Sequence, residues 1–219
     1  MSLRYLFWDL DGTLMDTSEG VIDCYEKAAR DMGYEPPSRA LLRTCIGPPI
    51  EWGVEHVIGV APEKVRETIQ RYTEYYQAEG AKAAVEYPGT SHCLEAVRLA
   101  GVKNYIATMK PVAEARIIRA YHALGQWIDG IYAVDLDHPI GKDRMLRQAL
   151  EEQKAAPEEC MMIGDRASDI ESGRAAGMRT IAVLYGFGAE EELRQAKADF
   201  YVASPAELEE RLLSLITEK

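Results

Sequence analysis

Apolar runs of strand length recur along this chain, separated by helix-length segments. That alternation constrains the fold more than any other feature. The runs are Tyr5–Asp9, Tyr105–Thr108, Ile131–Val134, Cys160–Ile163, Thr180–Leu184 and Phe200–Val202. Strand alternating with helix predicts an α/β fold, a Rossmann-like doubly wound sheet that is mostly parallel. The last helical pattern is regular: Leu208, Leu212 and Leu215 fall at i, i+4 and i+7, behind Ser204-Pro205 as cap and first turn. A chain of 219 residues that is 47% hydrophobic can bury a full core, as one domain or as a domain with an insertion.

One stretch breaks the rhythm. From Asp16 to about Ala83 there is no convincing strand. Asp16 and Glu19 have capping-box spacing, and Val21, Ile22, Tyr25, Ala28 and Met32 then form a helical stripe that stops at Gly33. A second stripe, Val65, Ile69, Tyr72 and Tyr76, begins after Pro62 and ends near Gly80. Two short helices, 39–46 and 49–58, are expected between them, separated by Gly47-Pro48-Pro49. The expected organisation is therefore an α/β core of residues 1–15 and 84–219, with an all-helical domain of residues 16–83 inserted after the first strand. Tyr72, Tyr75 and Tyr76 read most economically as packing residues of a small helical bundle.

The chemistry is expected at strand ends. Asp9 and Asp11 leave the first strand two residues apart, with Gly12 following, and Gly164-Asp165-Arg166-Ala167-Ser168-Asp169 closes a later one. Open α/β sheets bind ligands at their carboxyl ends. Asp9, Asp11 and Asp165 converge if their strands are sheet neighbours, and carboxylates brought together repel unless a cation or proton compensates. A hard, oxygen-seeking ion such as Mg²⁺ suits carboxylates plus a phosphate. Such a cluster suits phosphoryl transfer, with Asp9 as nucleophile and Asp11 moving the proton. Thr108, ending a core strand, and Lys142, opening a helical pattern after Gly141, are the candidates for the phosphoryl oxygens.

Charge and motif content remove other classes. The net charge is −11, from 25 basic and 36 acidic residues, which argues against nucleic-acid polymers and anionic membranes as partners. No apolar run is long enough to span a bilayer. Phosphate-binding loops of the Gly-x-x-x-x-Gly-Lys-Ser/Thr and Gly-x-Gly-x-x-Gly types do not occur, nor does a Gly-x-Ser-x-Gly elbow. Cys24, Cys45, Cys93 and Cys160 form no Cys-x-x-Cys pair and read as reduced, buried thiols of a cytoplasmic protein. The start shows no signal-peptide pattern.

Four stretches, in order, resemble the haloacid dehalogenase-like superfamily, in its phosphoglycolate phosphatase-like branch. They are Asp9-Leu10-Asp11-Gly12-Thr13, Ile106-Ala107-Thr108-Met109-Lys110-Pro111, Gly141-Lys142 and Gly164–Asp169. Ile46-Gly47-Pro48-Pro49, Tyr87-Pro88-Gly89 and Tyr185-Gly186-Phe187-Gly188 also look typical of that branch. The resemblance implies a Mg²⁺-dependent phosphatase of a small phosphate monoester, working through an aspartyl phosphate, phosphoglycolate phosphatase-like or nucleotidase-like. It implies Asp9 as nucleophile and metal ligand, and Asp11 as general acid/base with its backbone carbonyl on the metal. Asp165 is implied as a direct ligand, and Asp169 as a direct or water-mediated one. It implies Thr108, the Met109 amide and Lys142 on the phosphate, although Lys110 is a second candidate for the lysine. The helical insertion resembles a mobile cap, with Arg43 as the candidate cap contact to an anionic substrate. No Pro follows Lys142, unlike many phosphoglycolate phosphatases, so glycolate phosphate is not implied as the substrate.

The alternatives are a phosphomutase of the β-phosphoglucomutase type and, less favoured, a non-catalytic binder of phosphate esters. Dehalogenation does not need Asp11, and Schiff-base phosphonate cleavage lacks a supported lysine. The expected partner is a small phosphorylated metabolite, and the expected state a monomer or weak homodimer.

Overall fold

The structure, a computed structural model, describes residues 3–217. The chain divides into two compact units. One holds the chain up to Met15 and from Glu86 onward, and the other is Asp16–Val85.

The first unit is built on a six-stranded parallel sheet. Its strands are β1 (Tyr5–Trp8), β4 (Lys103–Pro111), β5 (Gly130–Val134), β6 (Cys160–Gly164), β7 (Arg179–Val183) and β8 (Phe200–Val202), in the spatial order β5-β4-β1-β6-β7-β8. Two short strands, β2 (Met15–Asp16) and β3 (Val85–Glu86), pair with each other where the chain passes between the units. β1 and β6 are buried along their whole length, as expected of central parallel strands covered on both faces. Tyr5 and Phe7 point to one face, where they pack with Leu146 and Leu150 of the helix Lys142–Gln153. Trp8, on the other face, donates its indole N–H to Asn104 Oδ1 (3.1 Å), and Asn104 in turn donates to the Leu94 carbonyl (3.1 Å) of the helix Thr90–Leu99. Leu208, Leu212 and Leu215 are all buried on one face of Pro205–Thr217. Ser204 Oγ accepts from the Glu207 amide (3.2 Å), which is the expected cap.

The second unit is helical. Ser18–Asp31 and Val65–Ala78 form its longest elements. Tyr72 and Tyr76 are buried, with Tyr25 4.6 Å from Tyr72 between ring centres and Tyr72 stacked on Tyr76 at 5.7 Å. They are packing residues of this bundle. Tyr75 instead reaches the surface and bonds Asp31.

Several local expectations are corrected. The capping box at Asp16 and Glu19 does not form. The helix begins one turn position later, at Ser18, and Asp16 Oδ1 accepts from the Ser18 amide (2.9 Å) and hydroxyl, as in an Asx-turn. Glu19 is drawn outward to Arg39 at 2.7 Å. The segment 39–46 is helical only over Arg39–Leu42, followed by a 3₁₀ turn at Arg43–Cys45. The segment 49–58 is a short helix, Ile50–Trp52, that widens into π geometry over Gly53–Ile58. β4 extends beyond Tyr105–Thr108 at both ends, and its register against β5 breaks between Ala107 and Pro111.

Candidate active site

The sheet order explains why distant acids meet. β1 lies between β4 and β6, so Asp9 after β1, Thr108 within β4 and Asp165 after β6 come from three adjacent strands. The Asp9 amide extends the ladder by donating to the Ile163 carbonyl at 2.8 Å. Beyond it the chain turns sharply: the Leu10 carbonyl accepts from Leu14 (3.1 Å) and Met15 (3.0 Å), and the Gly12 amide donates to Met15. Gly12 sits at φ +83, and a Cβ there would lie 2.3 Å from Asp165 Oδ2. Only glycine allows both that conformation and the approach of the carboxylate.

Asp165 is fully buried and held by three protein donors. Oδ1 accepts from Thr13 Oγ1 (3.0 Å), and Oδ2 from the amides of Phe187 (2.8 Å) and Gly188 (3.3 Å). The loop after β7 is pressed so closely on Asp165 that a Cβ at Gly188 would lie 1.7 Å from its carbonyl oxygen. Asp169 stands in the first turn of the helix Ala167–Ala175 and accepts from the Arg166 amide at 3.0 Å through Oδ2. Lys142, the first residue of its helix, donates to Asp9 Oδ1 at 2.8 Å and also to Asp169 Oδ1.

Asp9, Asp165 and Asp169 each offer an oxygen within 4.8 Å of the others'. Three buried carboxylates thus face one buried ammonium. Burial raises the Asp9 pKa, against the opposing charge of Lys142. Burial, reinforced by the Asp9 and Asp169 charges, pushes Asp165 up to about 7. Burial works against charge on Lys142 too, but Asp169 and Asp9 outweigh it and raise its pKa. The cluster is short of positive charge, and its donors are all hard oxygens. It fits a divalent cation of the magnesium type.

The remaining sequence candidates are placed as follows. Thr108 is buried, and its Oγ1 accepts from the Lys110 amide (3.2 Å). Met109 is 46% exposed. The Asp11 carboxylate is not among the clustered oxygens. It pairs instead with Lys110, Nζ to Oδ1 3.2 Å, and Lys110 reaches on to Glu114 at 3.9 Å. The two candidate lysines therefore have separate partners: Lys142 serves Asp9, and Lys110 serves Asp11. Arg43 is an exposed residue of the helical unit.

Sequence reasoning missed Thr13, Glu114 and the Phe187–Gly188 amides as supports. Glu114 had no helical-spacing signal, since Lys110 lies in β4 and the helix begins only at Val112. Thr13 and Phe187-Gly188 stood in family-like stretches, but nothing in the sequence tied them to Asp165, which is remote from both. An open groove of about 560 Å³ lies elsewhere in this unit, lined by Glu158, Arg174, Met178, Arg179 and Asp199. It is at the opposite ends of the strands and mixes both charges, so the acid cluster, not the groove, marks the chemistry.

A family model described as haloacid dehalogenase-like hydrolase matches residues 6–183. A 5'-nucleotidase of Pseudomonas aeruginosa is 34% identical over 97% of this chain and 98% of its own length. A pyrophosphatase of Halalkalibacterium halodurans is 28% identical, covering 95% and 96% respectively. Among solved structures, a haloacid dehalogenase-like family hydrolase from Streptococcus pneumoniae superimposes with a TM-score of 0.84 at 29% identity, over 94% of this chain and 96% of that one.

Proposed function

The chain belongs to the haloacid dehalogenase-like hydrolase family, and from that premise we propose that it is a Mg²⁺-dependent phosphatase of a small phosphate monoester. The observation that carries the reading is the buried cluster of Asp9, Asp165 and Asp169 with Lys142 bonded to Asp9. Relatives named for hydrolysis of nucleotides and pyrophosphate support water, rather than a second sugar phosphate, as the final acceptor. The 5'-nucleotidase relative makes nucleoside monophosphates the first substrates to try.

In this mechanism Asp9 Oδ attacks phosphorus, forming an aspartyl phosphate as the bond from phosphorus to the leaving oxygen breaks. Asp11 gives its proton to that oxygen, and as a carboxylate it then takes one from the water that opens the aspartyl phosphate. Lys142 and Thr108 bind the phosphoryl oxygens and hold the nucleophile in place. Asp9, Asp165, Asp169 and the Asp11 carbonyl would hold Mg²⁺. When bound, the ion neutralises the phosphoryl charge and orients the ester. The helical unit, residues 16–83 in the sequence reading, serves as the cap that excludes bulk water and chooses the leaving group, with Arg43 as a contact to an anionic substrate.

The test is phosphate release from a panel of monoesters, nucleoside monophosphates included, with Mg²⁺ or EDTA. Release that needs Mg²⁺, vanishes in Asp9→Asn and passes through a hydroxylamine-sensitive phosphoprotein is expected. Turnover by Asp9→Asn equal to the parent's would end the proposal.

A further inference from the structure

Two aspartates leave β1 two residues apart, yet only one joins the acid cluster. Asp9 points toward Asp165 and Asp169, with oxygens within 4.8 Å, while the Asp11 carboxylate stands outside. Strand periodicity does not explain this. Residues two apart in a strand share a face, but here the chain is already turning, with the Leu10 carbonyl accepting the amides of Leu14 and Met15. A carboxylate on a turning backbone beside a cation site has two places to go. It can swing into the site as a further ligand, or be held off it.

The structure supplies the holding group. Lys110 Nζ lies 3.2 Å from Asp11 Oδ1, and the lysine side chain is only 7% exposed. Its own position is set from both ends. Its amide donates to Thr108 Oγ1 at 3.2 Å, within β4 itself. Its ammonium reaches Glu114 Oε2 at 3.9 Å, one turn into the helix Val112–Tyr121. Glu114 is itself buried, and burial raises its pKa against the opposing Lys110 charge. A lysine with a buried carboxylate behind it is anchored in a way that a solvated surface pair is not.

We infer that Lys110, anchored by Glu114, is a positioning residue: it holds the Asp11 carboxyl off the metal cluster and at the leaving-group oxygen. The inference rests on the proposed role of Asp11. It assigns Lys110 no contact with the transferred phosphoryl group, which Lys142 and Thr108 serve. As the bond between Asp9 and phosphorus forms and the bond to the leaving oxygen breaks, the Asp11 proton passes to that oxygen. Its delivery needs the Asp11 carboxyl within hydrogen-bond reach, and a displacement of about 1 Å costs on the order of a hundredfold.

The readout is selectivity between leaving groups. An alkyl phosphate needs the proton, because an alkoxide leaves poorly, whereas p-nitrophenyl phosphate releases a stable phenolate without it. kcat/KM reports the first phosphoryl transfer alone, so later hydrolysis does not mask the difference. In Lys110→Met, kcat/KM for glycerol 2-phosphate is expected to fall about thirtyfold to a hundredfold, and for p-nitrophenyl phosphate less than about threefold. Glu114→Gln should show the same selectivity at about threefold to tenfold, and Lys110→Arg should recover most of the loss. Equal losses on both substrates, or a rise in KM alone, would make Lys110 a binding or merely structural residue and overturn the inference. Should Lys110→Met fail to fold, the Glu114→Gln pair of measurements decides in the same way. Asp11→Asn is the control: if it loses both substrates equally, the underlying reading of Asp11 fails. If it is alkyl-selective and Lys110→Met is not, only the role of Lys110 fails.

Discussion

Replacing Lys142 with methionine removes one charge and little volume, and it isolates what holds three buried acids together. Lys142 is 6% exposed, Asp9 7% and Asp169 1%, and the ammonium bonds both carboxylates. Breaking a buried pair from one side leaves uncompensated charge and costs about 3–5 kcal/mol. For a chain of this size, that is a fall in Tm of about 6–20 °C. The loss depends on pH with a definite sign. Asp9 and Asp165 have raised pKa values in the folded state, Asp165 from 3.8 to about 7. Between those limits the folded protein binds protons that the unfolded chain has released, so stability falls as pH rises through the window. For Asp165 alone this amounts to at most roughly 4 kcal/mol. Without Lys142, the Asp9 carboxyl loses its opposing charge and its window extends upward. The gap between Lys142→Met and the parent should therefore be widest near about pH 8 in EDTA, and should shrink near about pH 5 as the acids protonate. Millimolar MgCl₂ at the higher pH should raise the variant's Tm more than the parent's, because it supplies the missing charge. Thermal melts at both pH values, with and without MgCl₂, measure all of this. A variant that melts with the parent at the higher pH in EDTA, or a gap that ignores pH, would refute the electrostatic reading of the cluster.

Two further perturbations probe the frame around the cluster. Gly188→Ala puts a Cβ 1.7 Å from the Asp165 carbonyl oxygen, so the loop must withdraw its amides from Oδ2. The Mg²⁺ dissociation constant, read from the Mg²⁺-dependent Tm shift, should rise at least about tenfold, and an unchanged constant would show that these amides do not orient Asp165. Tyr76→Ala empties the bundle centre, where the ring is fully buried against Tyr72, and should destabilise the helical unit by about 3–5 kcal/mol. Hydrogen exchange should rise within Asp16–Val85 while β1 and β6 stay protected. Matching rises in both units would show that they unfold as one.

The sheet and its site were legible to different depths. The apolar runs placed every strand of the main sheet, because central parallel strands are buried on both faces and read as unbroken hydrophobic stretches. β2 and β3, two residues each, escaped, since a pair that short carries no period. The π turn at Gly53–Ile58 was invisible for a related reason: its residues keep helical character, and only the hydrogen-bond spacing widens. In the site, the strand ends pointed to Asp9, Asp11 and Asp165 as the converging acids and to Lys142 beside them, and the family resemblance added Asp169; Asp9, Asp165 and Asp169 meet at Lys142, while the Asp11 carboxylate stands outside the cluster. The sequence left two lysines competing for one role. Distance separates them, because Lys110 faces Asp11 and Lys142 faces Asp9. Thr13 and Phe187-Gly188 stood out only as parts of family-like stretches; their role as donors to Asp165 was not legible, since a hydrogen bond between remote segments leaves no pattern in a linear sequence.

The central place of β1 has a consequence for how this protein comes into being. Tyr5 pairs with Lys103 on one side and with Cys160 on the other. β1 is thus synthesised before both of its neighbours, and the second of them, β6, begins only at Cys160. Such long-range pairing is slow to form, and it leaves an apolar strand uncovered meanwhile. Asp9 is therefore synthesised well before the acids it meets in the cluster. Until β6 docks, Asp9 has neither Asp165 nor Asp169 beside it, so no nascent or truncated chain ending before Gly164 can carry the activity.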